Sequence, residues 1–115
     1  MEGFEERINI AAMKRMIILP DAEIDIKETV KYYKERSKGL EKEFVKLIDS
    51  SIHDINKNPE AFPVVKYDIR KYVVTKFEFC IYFIDRIDVL YIIAVFHDKR
   101  NPKDWQKRRI LRNLK

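Results

Sequence analysis

His97 is the side chain in this sequence best placed for chemistry. It closes the most apolar run, Val89 to Phe96, and opens the polar segment His97-Asp98-Lys99-Arg100-Asn101-Pro102. A residue at such a junction is held by a rigid strand yet stays within reach of solvent, so its imidazole can transfer a proton or touch a phosphate near neutral pH. Arg70 opens a second β-rich stretch. Two-residue alternation there sets Arg70, Tyr72 and Lys76 on one side and Lys71, Val73, Thr75 and Phe77 on the other. If the second set is the covered one, the first forms a basic face beside His97 and Arg100, with an aromatic ring on which an RNA base can stack. The plainer readings are an ordinary strand-end histidine and two cations that merely solvate a sheet edge.

Other chemistries lack their usual apparatus. There is no glycine-rich phosphate loop, no Cys-x-x-Cys, no His-Glu-x-x-His and no Gly-x-Ser-x-Gly, and the only glycines are Gly3 and Gly39. His53 falls on the flank of a helical stripe and reads as structural, and the lone Cys80 reads as a small core residue. No cofactor and no metal are expected. A single cysteine excludes an internal disulfide, and no apolar stretch approaches the roughly 20 residues of a bilayer span. A cytoplasmic setting away from the membrane is therefore expected.

Charge is unevenly placed. From Met1 to Phe96, sixteen basic residues face seventeen acidic ones, whereas His97 to Lys115 holds eight basic residues against two acidic. The net charge of +5 is thus a property of the carboxyl-terminal segment. Lys103, Lys107, Arg108, Arg109, Arg112 and Lys115 suit either a phosphate backbone or an acidic protein, or simply a solvated helix end.

With 115 residues, of which 46% are hydrophobic and 37% charged, the chain has the size and composition of one folded domain. Residues 1–15 read as an amino-terminal extension or a misassigned start, since Met13 and Met16 offer later ones, and residues 16–115 read as the domain. Ile17-Ile18-Leu19 ends at Pro20, and Asp21 is expected to cap the helix that follows. Ala22, Ile26, Val30 and Tyr33 trace the apolar stripe of a helix over 22–36. After Gly39, Leu40, Phe44, Leu47, Ile48, Ile52 and Ile55 trace a second, antiparallel one that ends by Asn58-Pro59. Strands follow at 64–67, 71–77, 79–84 and 89–96, linked as an antiparallel meander in which the last two are interior. Trp105 to Lys115 closes the chain as a short basic helix. The fold class is α+β, with an antiparallel sheet and a helical hairpin on one face.

A series of short segments in this order resembles a known family. They are Leu19-Pro20-Asp21-Ala22-Glu23-Ile24-Asp25, Tyr32-Tyr33, Leu40 with Phe44 and Ile48, Asn58-Pro59, Ile69-Arg70-Lys71, Phe79-Cys80-Ile81-Tyr82-Phe83, and Val95-Phe96-His97-Asp98-Lys99-Arg100-Asn101-Pro102 with Trp105. Their order and spacing from about Met16 to Arg109 are similar to the RelE/ParE superfamily of bacterial toxins, which includes plasmid stabilisation proteins. The resemblance implies a β-α-α-β-β-β fold, with or without a final helix. It also implies the toxin half of a type II toxin–antitoxin module, silenced by a small acidic cognate antitoxin in a hetero-oligomer; a homodimer is left open.

Two activities follow from the resemblance. In a RelE-like messenger RNA interferase acting on the ribosome, His97 would be acid or base, with Arg70 and Arg100 holding phosphate. Lys66 alone stands for the lysines that precede the strand arginine in such enzymes, and their terminal tyrosine is missing. In a ParE-like inhibitor of DNA gyrase no catalytic pair is needed, only a surface. The helical hairpin opening with Pro20-Asp21-Ala22, the Asn58-Pro59 stop and the Lys-Arg-Asn-Pro ending favour this second reading. Target-binding residues on either reading are Lys66, Tyr72, Lys76, Lys103, Lys107, Arg108, Arg109 and Arg112. A degenerate relative kept for antitoxin binding is the third reading.

Overall fold

The computed structural model describes residues 14–108. The element order is β1 (Arg15–Ile18), α1 (Pro20–Arg36), α2 (Leu40–Lys57), a 3-10 turn (Pro59–Ala61), β2 (Val64–Lys66), β3 (Ile69–Val74), β4 (Phe79–Asp85), β5 (Val89–His97) and α3 (Lys103–Gln106). Residues 1–13, on which most of the expected extension falls, and residues 109–115 lie outside the described part.

Helix α1 starts at Pro20, earlier than the apolar stripe suggested. Proline suits the first helical position because its missing N–H would have no partner there anyway. Leu19, not Asp21, is the capping residue and offers no side-chain cap; Asp21 and Glu23 instead place negative charge against the helix N-terminus. Gly39 takes a φ of +89°, a left-handed conformation that ends the link and lets α2 reverse direction.

The sheet order is β1-β5-β4-β3-β2. Strands β2 to β5 form the antiparallel meander, with β4 and β5 interior, and β1 adds one parallel pair alongside β5. The two-helix crossover between β1 and the meander supplies the length that a parallel neighbour requires. An extra residue at Ile93 breaks the β4–β5 register between Tyr82 and Phe83. As a result Ile93 and Ala94 both join the core on the side away from the helices, while Ile92 and Val95 face them.

Both sides of the sheet are apolar. Phe44, Ile48 and Ile55 of α2 and Ala22 of α1 pack on Val74, Phe79, Ile81, Phe83, Leu90, Ile92 and Val95. On the reverse side, Ile69, Cys80, Tyr82, Ile84, Ile93 and Phe96 gather around Leu19 and Trp105. The Trp105 ring lies 4.5 Å from that of Tyr82, so α3 acts as a small cover for the reverse side. The expectation that the helices cover Val73 and leave Tyr72 exposed is therefore corrected. Tyr72 packs into the helix-side core, and Val73 points outward at 60% exposure. Strand β3 ends at Val74, so strict alternation does not carry on to Lys76 and Phe77; the turn over Thr75–Glu78 swings Phe77 inward against Phe44.

Candidate functional site

Arg70 sits opposite Phe83 on β4 and Val64 on β2. Its guanidinium donates to the carbonyl of Phe62 at 2.6 Å and, at 3.4 Å, to that of Glu60, bracing the bend between α2 and β2. Tyr72, two residues along, lays its ring edge-on to Phe62 and donates its hydroxyl to Asp54 at 3.4 Å.

His97 lies at the other end of the sheet, opposite Phe79, whose ring meets the imidazole edge-on at 5.3 Å. Phe79 and Phe83 are four residues apart on β4, and β3 and β5 lie on either side of it. At about 3.3 Å per residue and about 4.8 Å per strand, Arg70 and His97 stand roughly 16 Å apart. The Arg70 guanidinium is engaged by the Phe62 carbonyl, and no contact among the described residues joins it to His97. The surroundings of His97 are acidic: Glu78 lies 3.7 Å from Nε2 and Asp98 3.4 Å from Nδ1, and the Lys99 amide donates to Nδ1 at 3.2 Å. The imidazole lines a cavity of about 420 Å³ together with Glu28, Thr29, Tyr32, Tyr33 and Phe79. Burial, and then the neighbouring Tyr32 and Glu78, push the Tyr33 phenol up from its ordinary value.

The cations of the carboxyl-terminal segment converge on a carboxylate that the sequence reading passed over. Asp25 of α1 is only 4% exposed. Arg108 grips it in two places, Nη1 to Oδ2 at 2.8 Å and Nη2 to Oδ1 at 2.6 Å, and donates also to the Ile93 carbonyl at 2.9 Å. The Val95 amide completes the carboxylate's partners at 3.0 Å. Arg100 stands 3.8 Å from the same carboxylate and lies over the Phe96 ring, 3.8 Å from its centroid. Strand β1 pairs with β5 only as far as Ile92, so Asp25 and Arg108 satisfy main-chain groups of β5 just past the point where β1 stops. Asp25 lies three residues after Ala22, inside the inward stripe, and a carboxylate in that position beside a tail rich in arginine was the available signal.

The remaining target-binding candidates divide in two. Lys76 pairs with Glu43 at 3.3 Å on the helix side of the molecule. Lys66 donates to Gln106 of α3 at 2.9 Å, which places it next to the exposed Lys103 and Lys107. Lys66 also lies over the exposed Tyr67 ring, 5.4 Å from its centroid, and Val73, opposite Cys80, is exposed on the same reverse side of the sheet as α3, so that side offers both basic and apolar groups. Arg109 and Arg112 lie outside the described residues. Burial pushes the Cys80 thiol and the Tyr82 phenol up, so neither is a nucleophile near neutral pH. Among the described residues, no helix is long and apolar enough to cross a membrane.

The sequence matches the family described as "ParE toxin of type II toxin-antitoxin system, parDE" over residues 16–102. Among solved structures, a chain from a chromosomal ParDE toxin–antitoxin system of P. aeruginosa superposes with a TM-score of 0.65 at 12% identity, covering 75% of this chain and 97% of that one. At that identity the likeness is one of fold. No curated protein matches the chain by sequence.

Proposed function

Because the chain belongs to the ParE toxin family of type II toxin–antitoxin systems, we propose that it arrests growth by binding a protein target, DNA gyrase, and not by cutting RNA. A cognate antitoxin then silences it by covering the binding surface. The observation that carries this reading is the separate engagement of Arg70, by main-chain carbonyls, and of His97, by two carboxylates. Metal-free cleavage at a ribose 2′-hydroxyl needs a base, an acid and a cationic stabiliser around one phosphate. Here the imidazole is flanked by two carboxylates, which repel a phosphodiester, while Arg70 braces a bend and Arg108 and Arg100 are drawn to Asp25.

An inhibitor that works by contact needs only an exposed surface of suitable chemistry. Exposed Lys66, Lys103 and Lys107, together with exposed Tyr67 and Val73, combine charge that steers an encounter with apolar area that holds it. An acidic antitoxin segment suits the same surface, and a gyrase target would place the toxin in the cytoplasm. The test is a parallel assay of the purified chain for loss of gyrase supercoiling and for ribosome-dependent cutting of messenger RNA. Inhibited supercoiling without cutting, reversed by the acidic protein encoded beside the toxin, is the expected result. Messenger RNA cutting without gyrase inhibition would overturn it.

A further inference from the structure

We propose that the cavity between α1 and the His97 end of the sheet binds a guanidinium group, borne either by an arginine side chain of another protein or by a small free guanidine. The cavity measures about 420 Å³, room for one flat head group with its alkyl stem. Three aromatic rings, Tyr32, Tyr33 and Phe79, wall it, and Glu28, Thr29 and His97 complete the lining. Among the described residues, no lysine or arginine lines it, in a chain that carries 24 of them.

The aromatic walls carry the site, and the polar groups select the ligand. Tyr33 is fixed by Phe77 and Phe44, with ring centroids 4.9 and 5.5 Å away, so the inner wall is built before any ligand arrives. Tyr32 meets Tyr33 edge-on at 5.4 Å and is itself exposed. Its ring already attracts a group of the proposed kind, since the Arg36 guanidinium lies 4.4 Å from its centroid. The polar lining accepts more than it donates. Thr29 donates its hydroxyl to the Asp25 carbonyl at 2.8 Å, so towards the cavity its oxygen is an acceptor. Glu28 lies on α1 one turn before Tyr32, and Glu78 places a carboxylate oxygen 3.7 Å from Nε2 of His97. A guanidinium can stack on a ring and donate in its own plane to a carboxylate at once, whereas an ammonium is more strongly hydrated and gains less from such walls. An anion would be repelled by both carboxylates. The cavity belongs to the helix side of the sheet, whereas Lys66 meets α3 on the reverse side, so this site stands apart from any target bound there.

The test is an NMR titration of the isotope-labelled full chain with N-acetyl-arginine methylamide, with free arginine and, as an uncharged isostere, with N-acetyl-citrulline methylamide. The expected result is a saturable shift of the amides of Glu28 to Tyr33, Phe79 and His97 with the capped arginine and none with the capped citrulline. Binding of the capped form at least as tight as that of free arginine assigns the site to a side chain of another protein; tighter binding of free arginine assigns it to a small free guanidine. Glu28→Gln, which removes an exposed charge, and Tyr32→Leu, which removes a ring face and keeps apolar bulk, should each weaken binding roughly threefold. Glu43→Gln, on α2 and away from the cavity, should bind as the parent does. The amide spectrum of each variant reports whether it is folded. Absence of a saturable shift in the parent chain, equal shifts with the citrulline compound, or parental affinity in both folded Glu28→Gln and folded Tyr32→Leu would each overturn the site.

Discussion

Arg108 closes a two-point ion pair on Asp25, 83 residues earlier in the chain, and so ties the carboxyl-terminal segment to the first helix. Asp25 is the better buried partner and also accepts from the Val95 amide, so Asp25→Ala strands both a guanidinium and a main-chain donor. A loss of about 3–5 kcal/mol in urea unfolding is expected. Arg108→Met should be milder, because Arg100, already 3.8 Å away, can move toward the abandoned carboxylate. Equal losses for the two variants would refute that substitution.

The contrast between Asp25 and its helix shows what could be read from the sequence. The stripe of Ala22, Ile26, Val30 and Tyr33, the break at Gly39 and the interior character of β4 and β5 rest on local periodicity, and the fold reproduces them. Local rules failed where the outcome depended on a strand's length. Alternation placed Lys76 with Arg70 and Tyr72, but β3 ends at Val74, and the turn after it resets the direction of every following side chain. Which side of β3 is covered depended in turn on where α2 docks, and Val73 gives no local sign of that. The tail read as free charge because its partner, Asp25, lies far away in sequence.

Three acids, Cys80 and Tyr82 buried and Tyr33 half-buried, predict an alkaline limit to stability. Burial raises Cys80, Tyr82 and Tyr33 above their ordinary values of 9.0, 10.0 and 10.0. The unfolded chain therefore gives up these protons at lower pH than the native one. Above about pH 9 it binds fewer protons, and stability falls as pH rises. Thermal melts from pH 7 to 10.5 should show a declining midpoint from about pH 9 upward, and Cys80→Ala should delay the onset. A midpoint that is flat to pH 10.5 would contradict the assigned burial.

Arg70 should matter to the fold and not to the toxic activity. Its guanidinium contributes a charge-assisted hydrogen bond to the Phe62 carbonyl, so Arg70→Ala is expected to cost about 1.5–3 kcal/mol in chemical denaturation. Inhibition of gyrase, measured per folded molecule at a temperature where the variant is native, should stay within a few-fold of the parent. A loss of two powers of ten with the fold intact would show that Arg70 contacts the target and would reopen the RNA-cleaving reading.

The basic surface around α3 makes the strongest demand on the functional proposal. Lys66, Lys103 and Lys107 are exposed, and reversing all three to glutamate removes from the fold the exposed Lys66–Gln106 contact and the Lys66 amine's place over the Tyr67 ring, so stability should shift by less than about 1 kcal/mol. Binding should respond far more, since three favourable charges become three repulsive ones. A drop of at least tenfold in affinity for both gyrase and antitoxin is expected at low salt. The gap between parent and variant should narrow as salt rises, because screening removes the parent's advantage along with the variant's penalty. Val73→Ser, which alters only the apolar part of the surface, should weaken binding by a factor that salt leaves unchanged. If the triple reversal leaves both complexes intact at every salt concentration, the contact lies elsewhere on the molecule.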